Sequence, residues 1–270
     1  QNLPKEYGAL SEHEMRFYRY AIARLAAFCN VWWDLGNEHN EYRDVKWGNS
    51  MGQLVKEWDP YDRLTSAHAY ADWLYGDARW ADFIITQQYG TPKDVNAWVL
   101  KYRHLNMPYI NEEYGYEGRE DKHGHAQNAD WVRRCHWSIA MAGGYATYGI
   151  WFEGAFYTGH VGSGKAPAYL KLLRSFFERY PYWLMTPANE LVNDGNFCLT
   201  LPRQIYIIYA PYGGAVSIDL SSMKGAFVGR WFNPRTGSWI EIGHANGGTK
   251  WNIHAPDQDD WVLELTSKLR

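Results

Sequence analysis

Cysteine is scarce in this sequence: Cys29, Cys135 and Cys198 are the only three in 270 residues. Far apart, odd in number and without a CxxC pair, they argue against a disulfide framework and a cysteine-based zinc site. Their apolar settings are those of buried free thiols. Charge of one sign is lacking as well, since 27 Lys and Arg face 30 Asp and Glu for a net charge of -3. That balance offers no footprint for nucleic acid or an anionic membrane. No uninterrupted apolar run reaches the roughly 18 residues of a membrane span. The first residues do not have the form of a signal peptide, and Gln1 rather than methionine opens the sequence. Localisation is therefore not legible, although a secreted or periplasmic protein is compatible with it. His123 and His125 in HGH lack a third ligand at metal-site spacing and read as a solvated loop, so no metal and no cofactor is expected. Aromatics, by contrast, are plentiful, with 15 Trp and 21 Tyr. Such rings stack on sugar C–H faces but also fill cores.

The first two-thirds of the chain repeats a helix–strand unit. Ser11 with Glu14 reads as a capping box opening a helix, on which Met15, Tyr18, Ile22, Leu25 and Cys29 form an apolar stripe. The strand VWWDL (31–35) follows. Next come a short helix at Ser50 to Trp58, the strand LTSAHAY (64–70) and the strand ADFIITQQYG (81–90). Thr91-Pro92 opens another helix, which leads to MPYINEEYG (107–115). A helix from about Asn128 to Met141, the strand ATYGIWFEG (146–154) and a helix from Ala166 to about Tyr180 complete the series. Strands alternating with helices imply a parallel sheet, and in a (β/α) barrel the C-terminal strand ends carry the chemistry. After Pro187 the helical period stops. FCLTL, QIYIIYA, AVSIDL, AFVGRWF, SWIEIG and DWVLEL are short β runs between turn residues, the pattern of a small antiparallel sandwich. The expected fold class is thus α/β, with a (β/α) barrel domain over 1–187 and a β-sandwich over 188–270.

Two strand ends carry acids. In VWWDLGNEH, alternation puts Trp32, Asp34, Gly36 and Glu38 on one face and Trp33 and Leu35 on the other. In MPYINEEYG, Tyr109, Asn111 and Glu113 share the polar face, which favours Glu113 over Glu112 as the inward acid; a bulge would reverse that choice. Two carboxylates at one barrel mouth are the requirement of glycoside hydrolysis, about 5 Å apart for retention and wider for inversion. Asn37 is placed to donate to a sugar 2-hydroxyl.

GNEH and EEYG resemble the signatures of clan-A retaining glycoside hydrolases. In that clan an Asn-Glu pair ends barrel strand four with the acid/base, and a Glu ending strand seven is the nucleophile. LGNE, SAHAY, TQQYG and NEEYG then count as strands four to seven. The wider context, RLAAFCNVWWDLGNEHNEY with the later YEG and GGYAT, resembles bacterial cellulase-like hydrolases. The stretch from YIIYAPYGGAVSIDL through GRWFNPRTGSW to DDWVLEL is similar to the C-terminal β domain, labelled collagen-binding, of apiosidase-type hydrolases. The resemblance implies Glu38 as acid/base, Glu113 as nucleophile and Asn37 as 2-hydroxyl ligand. It also implies Tyr89 as a partner of the nucleophile and Trp151 as a sugar platform. His68, Gln88 and Glu153 are further substrate-binding candidates. Arabinofuranoside, xylan, β-glucan and apiose-containing pectin all remain open as substrates, because specificity lies in loops.

Two alternatives stand beside the hydrolase: a non-catalytic carbohydrate-binding protein on a degenerate barrel, and a matrix adhesin. If VWWDLGNE is strand four, Gln1 to Leu10 cannot supply strands one to three. A partial barrel of strands four to eight would expose strand edges that template pairing. Either a fragment or a two-fold homodimer covering the open side follows, and the dimer is the expectation.

Overall fold

The computed structural model describes residues 7–120, 126–152, 155–156 and 163–267. They fall in two compact bodies, one of residues 1–88 with 102–112 and one of residues 89–101 with 113–270. Among the described residues no helix is long and apolar enough to cross a membrane.

In the first body, helix α1 spans Glu12–Leu25, and the Ser11 hydroxyl caps it by accepting from the Glu14 amide at 3.3 Å. The expected capping box closes differently. The Glu14 carboxylate accepts the Leu10 amide at 2.6 Å and sits only 1% exposed, where Arg43 and the Trp47 indole also donate to it. The apolar stripe is shorter than expected: Ile22 and Ala26 are buried, but Leu25 is 44% exposed and Cys29 is exposed. The helical period ends at Leu25, so it cannot carry Cys29 inward; only Cys135 and Cys198 are buried thiols.

Helix α2, Val45–Trp58, starts five residues before the expected Ser50, because the Asp44 carboxylate caps it by accepting the Trp47 amide at 2.7 Å. Its buried face carries Gly48 and Gly52, where a Cβ would come within 2.0 Å of Tyr75 and 2.2 Å of Trp80. Each glycine costs about 1 kcal/mol of helix propensity, offset by the aromatic rings it admits. The strands are β1 (Trp33–Asp34), β2 (Thr65–Ser66), β3 (His68–Tyr70), β4 (Ile84–Gln87) and β5 (Tyr109–Asn111). β1 pairs with β2, β3 with β4 and β4 with β5, all in parallel. Every residue of β4 is buried, as a strand covered on both faces must be. Between β2 and β3 the ladder breaks, because the His68 amide donates to the Asp34 carboxylate at 2.9 Å.

The second body begins with α3 (Pro92–Tyr102, its last residue counting with the first body). Thr91 and Asp94 cap each other there, with hydroxyl to carboxylate at 2.6 Å. A two-residue ribbon, β6 (Arg119–Glu120) with β7 (Ala126–Gln127), precedes α4 (Ala129–Met141), which Asn128 caps. The strand expected over 146–154 is instead two pieces, β8 (Tyr145–Ala146) and β9 (Trp151–Phe152), the latter antiparallel to β10 (Ala155–Phe156). The chain between them is drawn to Glu117, whose amide donates to Gly149 O at 2.9 Å and whose carbonyl accepts from Trp151 at 2.8 Å. Helix α5 spans Ala166–Phe177.

From there the chain is nearly all strand: β11 (Thr186–Pro187), β12 (Phe197–Leu201), β13 (Ile205–Ala210), β14 (Ala215–Asp219), β15 (Ala226–Phe232), β16 (Trp239–Asn246), β17 (Lys250–His254) and β18 (Trp261–Ser267). A six-stranded antiparallel sheet runs in the order β11-β12-β13-β18-β15-β16, and β14 pairs with β17 in a second layer. Alternation along the strands separates two cores. Tyr206, Ile208, Phe227 and Leu265 pack with Val216 and Ile218 of the second layer. Ile207, Tyr209 and Val262 face the other way, onto Trp137 of α4 and Phe176 and Phe177 of α5. Of these strands, the two-residue β11 and β17 were not expected from the sequence. Its KWNIH has no apolar run, and only Trp251 and Ile253 turn partly inward.

Candidate active site

Asn37 and Glu38 follow β1 in the first body, Asn37 exposed and Glu38 half-buried. Glu38 adopts a left-handed backbone, φ 47° and ψ 39°, which a non-glycine residue holds at a cost of order 1 kcal/mol. This turn ends the two-residue alternation, so the strand parity expected to aim Glu38 stops at Asp34. Neighbouring hydrogen bonds fix the turn. The Glu41 amide returns to Glu38 O at 3.0 Å, and the Tyr42 hydroxyl reaches Asn37 O at 3.3 Å.

His39, next to Glu38, is completely buried. Its Nδ1 lies 3.0 Å from His68 O, and its Nε2 contacts the Tyr75 hydroxyl. A carbonyl can only accept, so Nδ1 carries the proton and Nε2 accepts from the phenol. Burial lowers the pKa of His39 and keeps it neutral. The histidine of GNEH is thus an anchor for the Glu38 turn, a role the sequence did not disclose.

Three further groups converge at the ends of β1, β3 and β5. Asp34 Oδ1 accepts amides from Gly36 at 3.1 Å and His68 at 2.9 Å. Burial raises the Asp34 pKa, with those two amides opposing the shift. His68 is 2% exposed, with Nε2 3.3 Å from Gln87 Oε1 and Nδ1 3.5 Å from Glu112 Oε2. One ligand atom from each of Asp34, His68 and Glu112 lies within 4.8 Å of the others, a cluster able to hold a metal ion. Asp34 and Glu112 were not among the site residues expected from sequence. Gln88, at the end of β4, exchanges backbone hydrogen bonds with the Asn111 side chain at 3.2 and 2.9 Å. Its own side chain is buried, and its Nε2 has no hydrogen-bond partner among the described residues.

In the second body, Glu113 accepts a hydrogen bond from the Tyr89 hydroxyl at 2.6 Å. Tyr116 also bonds Glu113. Burial first and that contact second push the Tyr116 phenol well above its ordinary range, so it stays a donor. Two phenols on one carboxylate orient it and suit a group that works as an anion. Trp151 is half-buried, 6.2 Å from the Tyr116 ring, with the Arg119 guanidinium 5.1 Å from its own ring. Glu117, in the YEG stretch, accepts from Tyr148 at 2.7 Å and from the Lys165 and Ala166 amides at 2.8 and 3.1 Å, so its carboxylate caps α5. Glu153, His123 and His125 lie outside the described residues.

Asn37, Glu38, His68 and Gln88 therefore belong to one compact body and Tyr89, Glu113 and Trp151 to the other. Similarity to known proteins adds to this geometry. A solved structure titled "Glycoside hydrolase" superposes with a TM-score of 0.80 at 16% identity, covering 95% of this chain and 69% of the other. A glycoside hydrolase family 5 structure from Bacteroides vulgatus ATCC 8482 also gives 0.80 at 16% identity, covering 96% and 67%. At that identity the likeness is one of fold: a mixed α/β protein with a multi-stranded antiparallel sheet. No curated protein sequence is significantly similar to the chain. Residues 188–266 match a family model described as "Putative collagen-binding domain of a collagenase". Residues 3–152, more than half of the chain, match the model described as "Apiosidase-like, catalytic domain". The chain belongs to this apiosidase-like, glycoside-hydrolase-like family.

Proposed function

We propose that this protein is a retaining glycoside hydrolase of the clan-A type. Its catalytic domain, 1–187, is a partial (β/α) barrel of strands four to eight, and 188–270 is an accessory β-sandwich. The observation that carries the reading is Glu113, an acid following β5 that two tyrosine hydroxyls hold. In the first step Glu113 attacks the anomeric carbon, and the leaving-group oxygen departs with a proton from Glu38. In the second, Glu38 takes a proton from water, whose oxygen displaces Glu113 and restores both acids. The proposal places the two carboxyls about 5 Å apart, the retaining spacing. Asn37 is assigned to the 2-hydroxyl and the Gln88 amide, whose Nε2 has no partner among the described residues, to another substrate hydroxyl. Trp151 is assigned as the sugar platform and Glu153 as a further substrate ligand. The substrate class is a plant-type poly- or oligosaccharide.

Aryl-glycosides and polysaccharides test this directly. Glu113→Ala should abolish turnover, and azide should rescue it with inverted product. Glu38→Ala should depress poor leaving groups far more than activated ones, because only the former need protonation. An inactive Glu112→Gln beside an active Glu113→Gln would overturn the nucleophile assignment. Sugar binding without turnover of any substrate would favour the non-catalytic alternative. The dimer is part of the same proposal, and a monomer near 31.4 kDa by light scattering would remove it.

A further inference from the structure

We infer that Asp34, His68 and Glu112 form a binding site for a single divalent first-row cation of the zinc class. The three side chains come from the end of β1, the start of β3 and the residue after β5, all in one body. The hydrogen-bond pattern around His68 is the second, independent observation. Its Nε2 faces the Gln87 amide oxygen at 3.3 Å, so that nitrogen carries the proton. A ring protonated on Nε2 alone leaves the Nδ1 lone pair 3.5 Å from a carboxylate oxygen of Glu112. That contact is met either by a second proton on the ring or by a cation that both atoms ligate. Two ligand atoms each about 2.1 Å from zinc, at a tetrahedral angle, lie roughly 3.4 Å apart. The observed spacing fits two ligands on one ion.

Asp34 supplies the third ligand. Its Oδ1 takes both backbone amides, which aligns the carboxylate. Gln87 then plays the outer partner that metal-bound imidazoles commonly have, holding the far ring nitrogen through an acceptor oxygen. The donor set of one imidazole and two carboxylates suits zinc better than calcium or magnesium, which prefer all-oxygen shells. A cation there would offset two carboxylates held close together and pin the ends of β1, β3 and β5 to one another. Three protein ligands leave a fourth position for water.

This inference does not rest on the hydrolase reading, because its test reads binding rather than turnover. The full chain is stripped of metal with a chelator and titrated calorimetrically with Zn²⁺, Mn²⁺ and Ca²⁺. Zn²⁺ should bind once per chain and most tightly of the three. Asp34→Asn, His68→Ala and Glu112→Gln should each weaken it at least about tenfold. Substitution of the exposed Asp62, as Asp62→Asn, should leave binding unchanged. Glu112 has a 29% exposed side chain, and Glu112→Gln nearly preserves shape, so loss of binding in a variant with an intact circular-dichroism spectrum is specific. Co²⁺ should give the intense visible bands of a four-coordinate site in wild type and lose them in Glu112→Gln. No Zn²⁺ binding by the wild type overturns the inference. So does binding that persists undiminished in all three ligand variants, which would place the ion elsewhere, for example on His123 and His125.

Discussion

Asp260→Asn should be among the most damaging single substitutions in the second body. Asp260 is fully buried, and its two oxygens take Arg133 Nε at 2.9 Å and Nη2 at 2.7 Å, with the Tyr209 hydroxyl at 3.0 Å. Arg133 is 1% exposed and stacks 4.4 Å over Tyr169, so the pair ties α4 to the chain entering β18. Replacing the carboxylate by an amide leaves the guanidinium in the interior with Asp130 as its remaining acid. Breaking a buried pair from one side costs about 3–5 kcal/mol. For a chain of this length each kcal/mol moves the melting temperature by roughly 2–4 °C, so the shift is on the order of 10 °C. Thermal and urea unfolding followed by circular dichroism measures it. Asp130→Asn is the contrast, since that side chain is 53% exposed and its loss should cost no more than about 1 kcal/mol. The double variant Arg133→Met/Asp260→Asn should recover at least half of the loss, because no charge is left buried and the amide still accepts from Tyr209. An Asp260→Asn melting temperature within a degree or two of wild type would refute the reasoning.

Tyr89→Phe removes one donor from Glu113 while leaving a 36% exposed ring in place. A hydrogen bond to a charged group is worth about 1.5–3 kcal/mol, so kcat/KM should fall roughly 10- to 100-fold without loss of stability; an unchanged rate would remove the tyrosine from the site. For His136, burial pushes the pKa from 6.5 down to about 4. As pH falls below 6.5 the unfolded chain takes up the proton before the folded chain does, so stability is present above 6.5 and is lost progressively towards pH 4. The loss is about 3 kcal/mol. His136→Gln should show that much less acid sensitivity in urea midpoints, and identical pH profiles would contradict the assignment.

Features set by residues a few positions apart were legible in the sequence. Thr91-Pro92 and Asn128 start helices where expected, because a cap and the amides it serves lie within three residues. The alternating runs from Phe197 onward are strands for the same reason. Features set by the meeting of distant segments were not. The start of α2 and the end of α1 were missed by a few residues, yet the fate of Glu14 could not be read at all, since Arg43 and Trp47 claim it from some thirty residues away. Likewise no local rule could tell that Glu38 would turn left-handed, because His68 and Tyr75 hold the His39 that fixes the turn.

Glu112 and Glu113 bring this difference to one dipeptide. Alternation alone gives two adjacent acids different directions, and on that ground only Glu113 was expected to have chemistry. The structure gives each its own partners, Tyr89 for Glu113 and His68 for Glu112. What makes Glu112 interesting is its 3.5 Å approach to His68 Nδ1, on a ring whose other nitrogen contacts Gln87 of the neighbouring strand. Strand parity can therefore nominate a residue for a site but cannot dismiss its neighbour. The dismissal requires knowing which strands are adjacent and in what register, and both follow from the packing of the sheet.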